Sequence, residues 1–316
     1  VTILNPTFVQ KLVLTAYGEL PSGLMLALGV IIAWHMFEGL TGGDKVNLSE
    51  ANTALIVNSS KPVRKEKVVE ITKENKKDIK TILTHLYRNG FDIIHIKETT
   101  KTIQKEIKQI TEDLLLGFEI TETTEGSCTL ENLSEPSETK YSVLLRRVFL
   151  IIRETEKLVI ADFQKNSFKH EADIAELRKQ QDKFVLFCKR LLVKEKYLKN
   201  SFLEWELLKF LMHIEHAYYY LYQFAMEGFS GDKTIITFIK NFQSYFGLFY
   251  DAHFKNDKDA IYQIDDLKTK YQLGSVMKYF SQTKDPLILS QIRELFRLVQ
   301  IGASSVLSKL YGEEEV

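Results

Sequence analysis

What most constrains this chain is a repetition after residue 136: three long amphipathic runs, a glycine break, then three more runs of similar length. Val143–Phe163 carries Leu144, Val148, Ile151, Ile152 and Val159. Phe168–Leu192 carries Ile174, Leu177, Phe184, Phe187 and Leu191. Phe202–Met226 carries Leu203, Leu207, Phe210, Ile214 and Leu221. Apolar residues three and four positions apart line one face of a helix, and such a stripe must be buried against a neighbour. Gly228 and Gly231 break the pattern, and Thr234–Phe254, Lys258–Phe280 and Asp285–Tyr311 resume it. Asp285-Pro286 is a helix start, because proline is tolerated at the first helical position. The period of roughly 80–90 residues reads as an internal duplication.

The stretch before it has a different texture. Glu66–Ile71 alternates like a strand. Lys76–Arg88 places Ile79, Ile82, Leu83 and Leu86 on one helical face, and Asn89-Gly90 stops it, both residues tolerating the left-handed conformation. Phe91–Ile96 reads as a second strand. Thr102–Leu115 has Ile103, Ile107, Ile110 and Leu114 in helical register. Gly117 ends that helix, Phe118–Thr121 resumes as strand, and Gly126 turns into Cys128–Leu130. The βαβαββ order predicts a small α+β layer with parallel pairing in part of its sheet.

Length and charge set outer bounds. A chain of 316 residues has room for two or three domains. Its 42 basic and 42 acidic side chains cancel, so no whole-body field draws it to nucleic acid or to an anionic membrane. Cys128 and Cys188 are too few for a zinc quartet and read as free thiols of a cytoplasmic protein. Leu20–Phe37 lacks Asp, Glu, Lys and Arg, but its dense apolar core, Gly23–Trp34, is shorter than the ~20 residues a bilayer demands. It reads as a buried or interface helix, with a membrane anchor as the alternative.

Several segments resemble archaeal PhoU-like proteins, regulators of phosphate uptake. Leu144-Leu145-Arg146-Arg147-Val148-Phe149-Leu150-Ile151 resembles the family's opening helix, Asp182–Leu192 its second, and His213-Ile214-Glu215-His216-Ala217 its third. Asp265-Asp266-Leu267 and Arg297-Leu298-Val299-Gln300 sit at the matching places of the second unit. Some members carry an AbrB-like swapped-hairpin domain in front, and Gly42–Leu48 followed by Ala54-Leu55-Ile56-Val57 is similar to its second half: a glycine turn, then two short strands, with Asn52 available to the connection. Asn89–Ile94 resembles the linker domain between. The fold class so implied is mainly α with a small α+β N-terminal half. An AbrB-like region at 1–62 and the α+β domain at 63–135 precede two three-helix bundles at 136–229 and 230–316.

The family's metal clusters rest on acidic pairs four residues apart, which share a helical face and offer hard oxygen ligands. Here Arg178 stands where Asp182 needs an acidic partner, Leu211 where Glu215 needs one, and Phe296 and Gln300 replace both members in the second unit. The residues left to hold a divalent ion such as iron or zinc are Asp182, Glu215, His216, Asp265 and Asp266, with His213 beside them. No cofactor is expected otherwise, and no nucleophile elbow, phosphate-cradling loop or His-Glu-x-x-His pair is present. DNA binding through residues 1–63 is disfavoured, because Lys11, Lys45 and Lys61 are outnumbered by Glu19, Glu38, Asp44 and Glu50. The resemblance implies a non-enzymatic, homodimeric adaptor for a protein partner in phosphate uptake or signalling. A DNA-binding regulator is the alternative.

Overall fold

A computed structural model describes residues 46–51, 54–59, 64–133, 138–194 and 200–312. The Leu20–Phe37 window and most of the glycine turn at 42–45 lie outside the described residues. Strands β1 (Val46–Ala51) and β2 (Ala54–Ser59) pair antiparallel, from Val46 opposite Ser59 to Ala51 opposite Ala54. They belong to a first unit that ends at Arg64; Lys65–Val316 forms a second compact unit.

The second unit is mainly helical and begins with a four-stranded sheet. Its order along the chain is β3 (Glu66–Glu70), α1 (Ile79–Arg88), β4 (Ile93–Lys97), α2 (Lys101–Leu114), β5 (Phe118–Thr123) and β6 (Ser127–Asn132). In space the strands run β3-β4-β6-β5, with β3 and β4 parallel and the remaining pairs antiparallel. Parallel neighbours need a crossover, and α1 supplies it. Gly90 and Gly117 adopt positive φ at the ends of α1 and α2, as the sequence predicts. The Thr100 hydroxyl accepts the Ile103 N–H and so caps α2. Ile79, Leu83 and Tyr87 of α1, Ile103, Ile107, Ile110 and Leu114 of α2, and Ile94, Ile96 and Leu130 of the sheet are all buried.

Six long segments follow: α3 (Glu138–Lys165), α4 (Glu171–Lys194), α5 (Ser201–Gly228), α6 (Lys233–Lys255), α7 (Lys258–Lys270) and, after a further turn of helix, α9 (Pro286–Gly312). Helices α3, α4 and α5 pack on one another, as do α6, α7 and α9. Between the two sets, like meets like: α3 packs on α6, and α5 packs on α9 through the most extensive helix contact of the molecule. Gly302 permits that closeness, since a Cβ there would lie 3.1 Å from the Phe249 ring and 3.3 Å from the Phe210 Cβ. The α3–α6 contact is aromatic, with Phe149 ringed by Phe246, Phe249, Tyr250, His253 and Phe254.

Two departures from the sequence reading have local causes. The run expected from Phe168 starts as α4 only at Glu171. Asp162 draws the chain into a turn there, one carboxylate oxygen accepting the N–H groups of Lys169 and His170 and the Tyr222 hydroxyl. The single run Lys258–Phe280 divides into α7, a π-turn (Tyr271–Ser275) and α8 (Val276–Tyr279). Gly274 makes the turn passable, since a Cβ would meet the Thr269 carbonyl oxygen at 2.7 Å.

The α+β layer is fastened to α4. From Phe187 to Leu192 every residue of α4 is buried, because α1 and α2 cover the face that α3 and α5 leave open. Arg190 packs against the rings of both Tyr87 and Phe118, donates to the carbonyls of Tyr87 and Phe91, and pairs with Asp92 at 2.6 Å. Lys194 holds the other Asp92 oxygen, to which the Lys65 N–H also donates. Burial pushes the Asp92 carboxyl up. Lys194, the Lys65 N–H and Arg190 more than offset this and leave it below its ordinary value. Its contribution to stability is therefore present at neutral pH and lost as pH falls through that lowered value. Arg190→Leu leaves the Tyr87 and Phe91 carbonyls without their donor and the buried Asp92 with Lys194 as its one cation, and is expected to cost on the order of 3 kcal/mol in urea unfolding at neutral pH. A loss below about 1 kcal/mol would contradict this role.

Candidate functional site: a carboxylate seam inside the first helical set

The acidic residues singled out in the sequence fall into two places. Asp182 on α4 and His216 on α5 meet, with Nε2 and Oδ1 2.8 Å apart. Glu215, one residue earlier, points into the interior and is fully buried. Its Oε1 accepts the Thr155 hydroxyl of α3 at 2.6 Å, and its Oε2 has no partner. His213 stands beside His216 with ring centroids 6.2 Å apart. Asp265 and Asp266 lie exposed on α7, Asp265 within 3.9 Å of Lys268. Among the described residues no three His, Cys, Asp or Glu side chains gather around a common point that could hold an ion. Asp182 and His216 are the pair that could offer ligands, and a metal held there would draw the rest of its shell from water or from another molecule.

Further residues of this seam escape a reading by resemblance. Glu156 of α3 is buried and accepts the Tyr218 hydroxyl at 3.0 Å. It occupies the same stripe as Ile152, Val159 and Phe163, so a carboxylate in an apolar register was the available signal. Tyr218 and Tyr222 of α5 bury their rings, and their hydroxyls turn inward. They end on Glu156 and Asp162. Arg178 lies over the Tyr219 ring at 4.4 Å.

Burial governs the seam's protonation. It raises Glu156 to about 8 against the opposing hydrogen bond from Tyr218, and raises Glu215 to about 8 against the opposing hydrogen bond from Thr155, with the charge of Asp182 adding to the rise. Both side chains thus hold protons at neutral pH while their other oxygens accept the Tyr218 and Thr155 hydroxyls. Burial also lowers His213, with His216, Lys209 and Lys189 adding to the effect.

No family model, curated protein or solved structure matches this chain. Among the described residues no helix is long and apolar enough to cross a membrane.

A carboxyl with an ordinary value of 4.5 raised to about 8 on folding gives pH-dependent stability of definite sign. The contribution is complete below the ordinary value and declines as pH rises toward the folded one, by at most about 1.4 kcal/mol per pH unit and group. Glu215→Gln keeps the shape and removes one titration. Urea unfolding across about pH 5 to pH 8 should show a flatter decline and a variant more stable than the parent at the alkaline end. An unchanged slope would contradict the assignment.

Proposed function

We propose that this chain is a non-enzymatic regulator of the PhoU-like kind, in which a duplicated helical scaffold docks a protein partner in phosphate uptake or signalling. The observation that carries the reading is the doubled helical arrangement. Two sets of three helices meet first against first and third against third, behind an α+β layer in the order that the resemblance implies. Such packing is what a duplicated unit gives when its two copies bury the same surface against each other.

The interior chemistry supports it. The seam's carboxyls accept the hydroxyls of Thr155, Tyr218 and Tyr222 inside the bundle, where they join α3 to α5 and stiffen the scaffold a partner would dock on. Asp182 and His216 remain the place for a divalent ion, should the working protein recruit one. Its partner would read the outer faces of the helices.

The direct test is phosphate uptake by the host cell with and without this protein, at scarce and at abundant external phosphate. Deregulated uptake, restored by the intact chain and by Glu215→Gln, is the expected result. Uptake unchanged in both regimes would contradict the proposal.

A further inference from the structure

A cleft of about 360 Å³ opens where the α+β layer meets the first helical set, between α1 and α2 on one side and α4 and α5 on the other. Three cations and two carboxylates line it. Lys179 is taken by Asp113 at 2.7 Å, and Asp182 is engaged by His216. Lys80 and Arg178 are left. Among the described residues neither cationic group forms a hydrogen bond or an ion pair with a neighbour.

Arg178 is the telling one. It is half-buried, and its Nε is out of reach of solvent and without a partner. The side chain is partly withdrawn from water, and its two terminal nitrogens have no acceptor among the described residues, which leaves the end of the fork open to an anion in the cleft. The guanidinium carbon lies 4.4 Å from the Tyr219 ring centroid and 5.8 Å from that of Tyr220, contacts that restrict the side chain before any ligand arrives. A fork oriented in advance matches the oxygens of a carboxylate or phosphate with little further ordering. Lys80 adds a mobile point charge from the opposite wall. The apolar lining from Ile110, Leu114 and Ala175 suits a small organic body. The volume lies at the lower end of small-molecule sites.

We infer that this cleft binds a small oxyanion-bearing molecule, with Arg178 as its fork and Lys80 as its second charge. The ligand bridges α1 and α4, so occupancy would tie the α+β layer to the helices at a second point besides Arg190. This inference stands apart from the docking reading and survives if phosphate uptake proves unaffected.

Isothermal titration of the full chain at low salt tests it, with inorganic phosphate, a nucleoside monophosphate and succinate as three separate probes. At least one should bind. Binding by phosphate alone marks a site for the free ion, and tighter binding by either organic probe marks a site for a metabolite. Lys80→Gln and Arg178→Gln should each weaken that binding about tenfold, Arg178→Lys should weaken it less, and the exposed Lys233→Gln should leave it unchanged. Thermal melts confirm that each variant is folded. No binding by any probe to the parent, or affinity equally insensitive to both cleft substitutions, overturns the assignment.

Discussion

The second unit depends on one buried contact: Arg190, packed against the Tyr87 and Phe118 rings, with Asp92 closing its charge. The sheet and its two helices could not bury both faces of α1 and α2 alone, and α4 could not bury a full turn of its surface within a three-helix set. Each supplies what the other lacks. A guanidinium is suited to that seam because its planar fork meets two backbone carbonyls and a carboxylate at once, while its faces pack on aromatic rings. Lys179 on Asp113 and Lys183 on the Glu112 carbonyl reinforce the seam at its rim, where water screens them and each contributes little.

Within the helices, buried polar groups follow one logic. Asp162 gathers a turn and a tyrosine. Glu204 joins Tyr141 to Lys309, drawing the start of α3 and the end of α9 onto α5. Glu156 and Glu215 remain neutral through burial, so they cross-link α3 to α5 without a counter-ion. Directed bonds of this kind fix the register between rods whose apolar stripes alone would allow sliding. They also explain why acidic residues at the positions that a metal cluster would use do not assemble one among the described residues. Glu215 turns inward to Thr155, His216 turns to Asp182, and Asp265 with Asp266 faces away on α7.

Much of this architecture was legible because it rests on local periodicity. The stripes of α1 and α2, the stop at Asn89-Gly90, the βαβαββ order and the start at Asp285-Pro286 all depend on residues within a few positions of each other. Most of what was hidden depends on distant partners. Nothing near Lys189-Arg190 announces that this basic pair is buried, because Asp92 lies 98 positions away. The late start of α4 follows from Asp162, which holds Lys169 and His170 and also reaches Tyr222 across the bundle; the π-turn has a nearby cause, the close approach of Gly274 to the Thr269 carbonyl, that apolar periodicity does not announce. In the candidate site, Asp182 and His216 are legible as an acidic residue and a histidine with ligand chemistry on facing helices. Glu156 stayed unseen because a carboxylate among isoleucines reads as an exception to a stripe.

The account holds that residues 65–312 behave as one cooperative body, the α+β layer clamped to the helices. Native-state hydrogen exchange tests this most directly. Slow amides of β4 and β6 should share one opening free energy with those of α4 and α5, set by global unfolding. Strand amides that exchange through a separate, lower-energy opening while the helical amides stay protected would show that the clamp does not bind the two together.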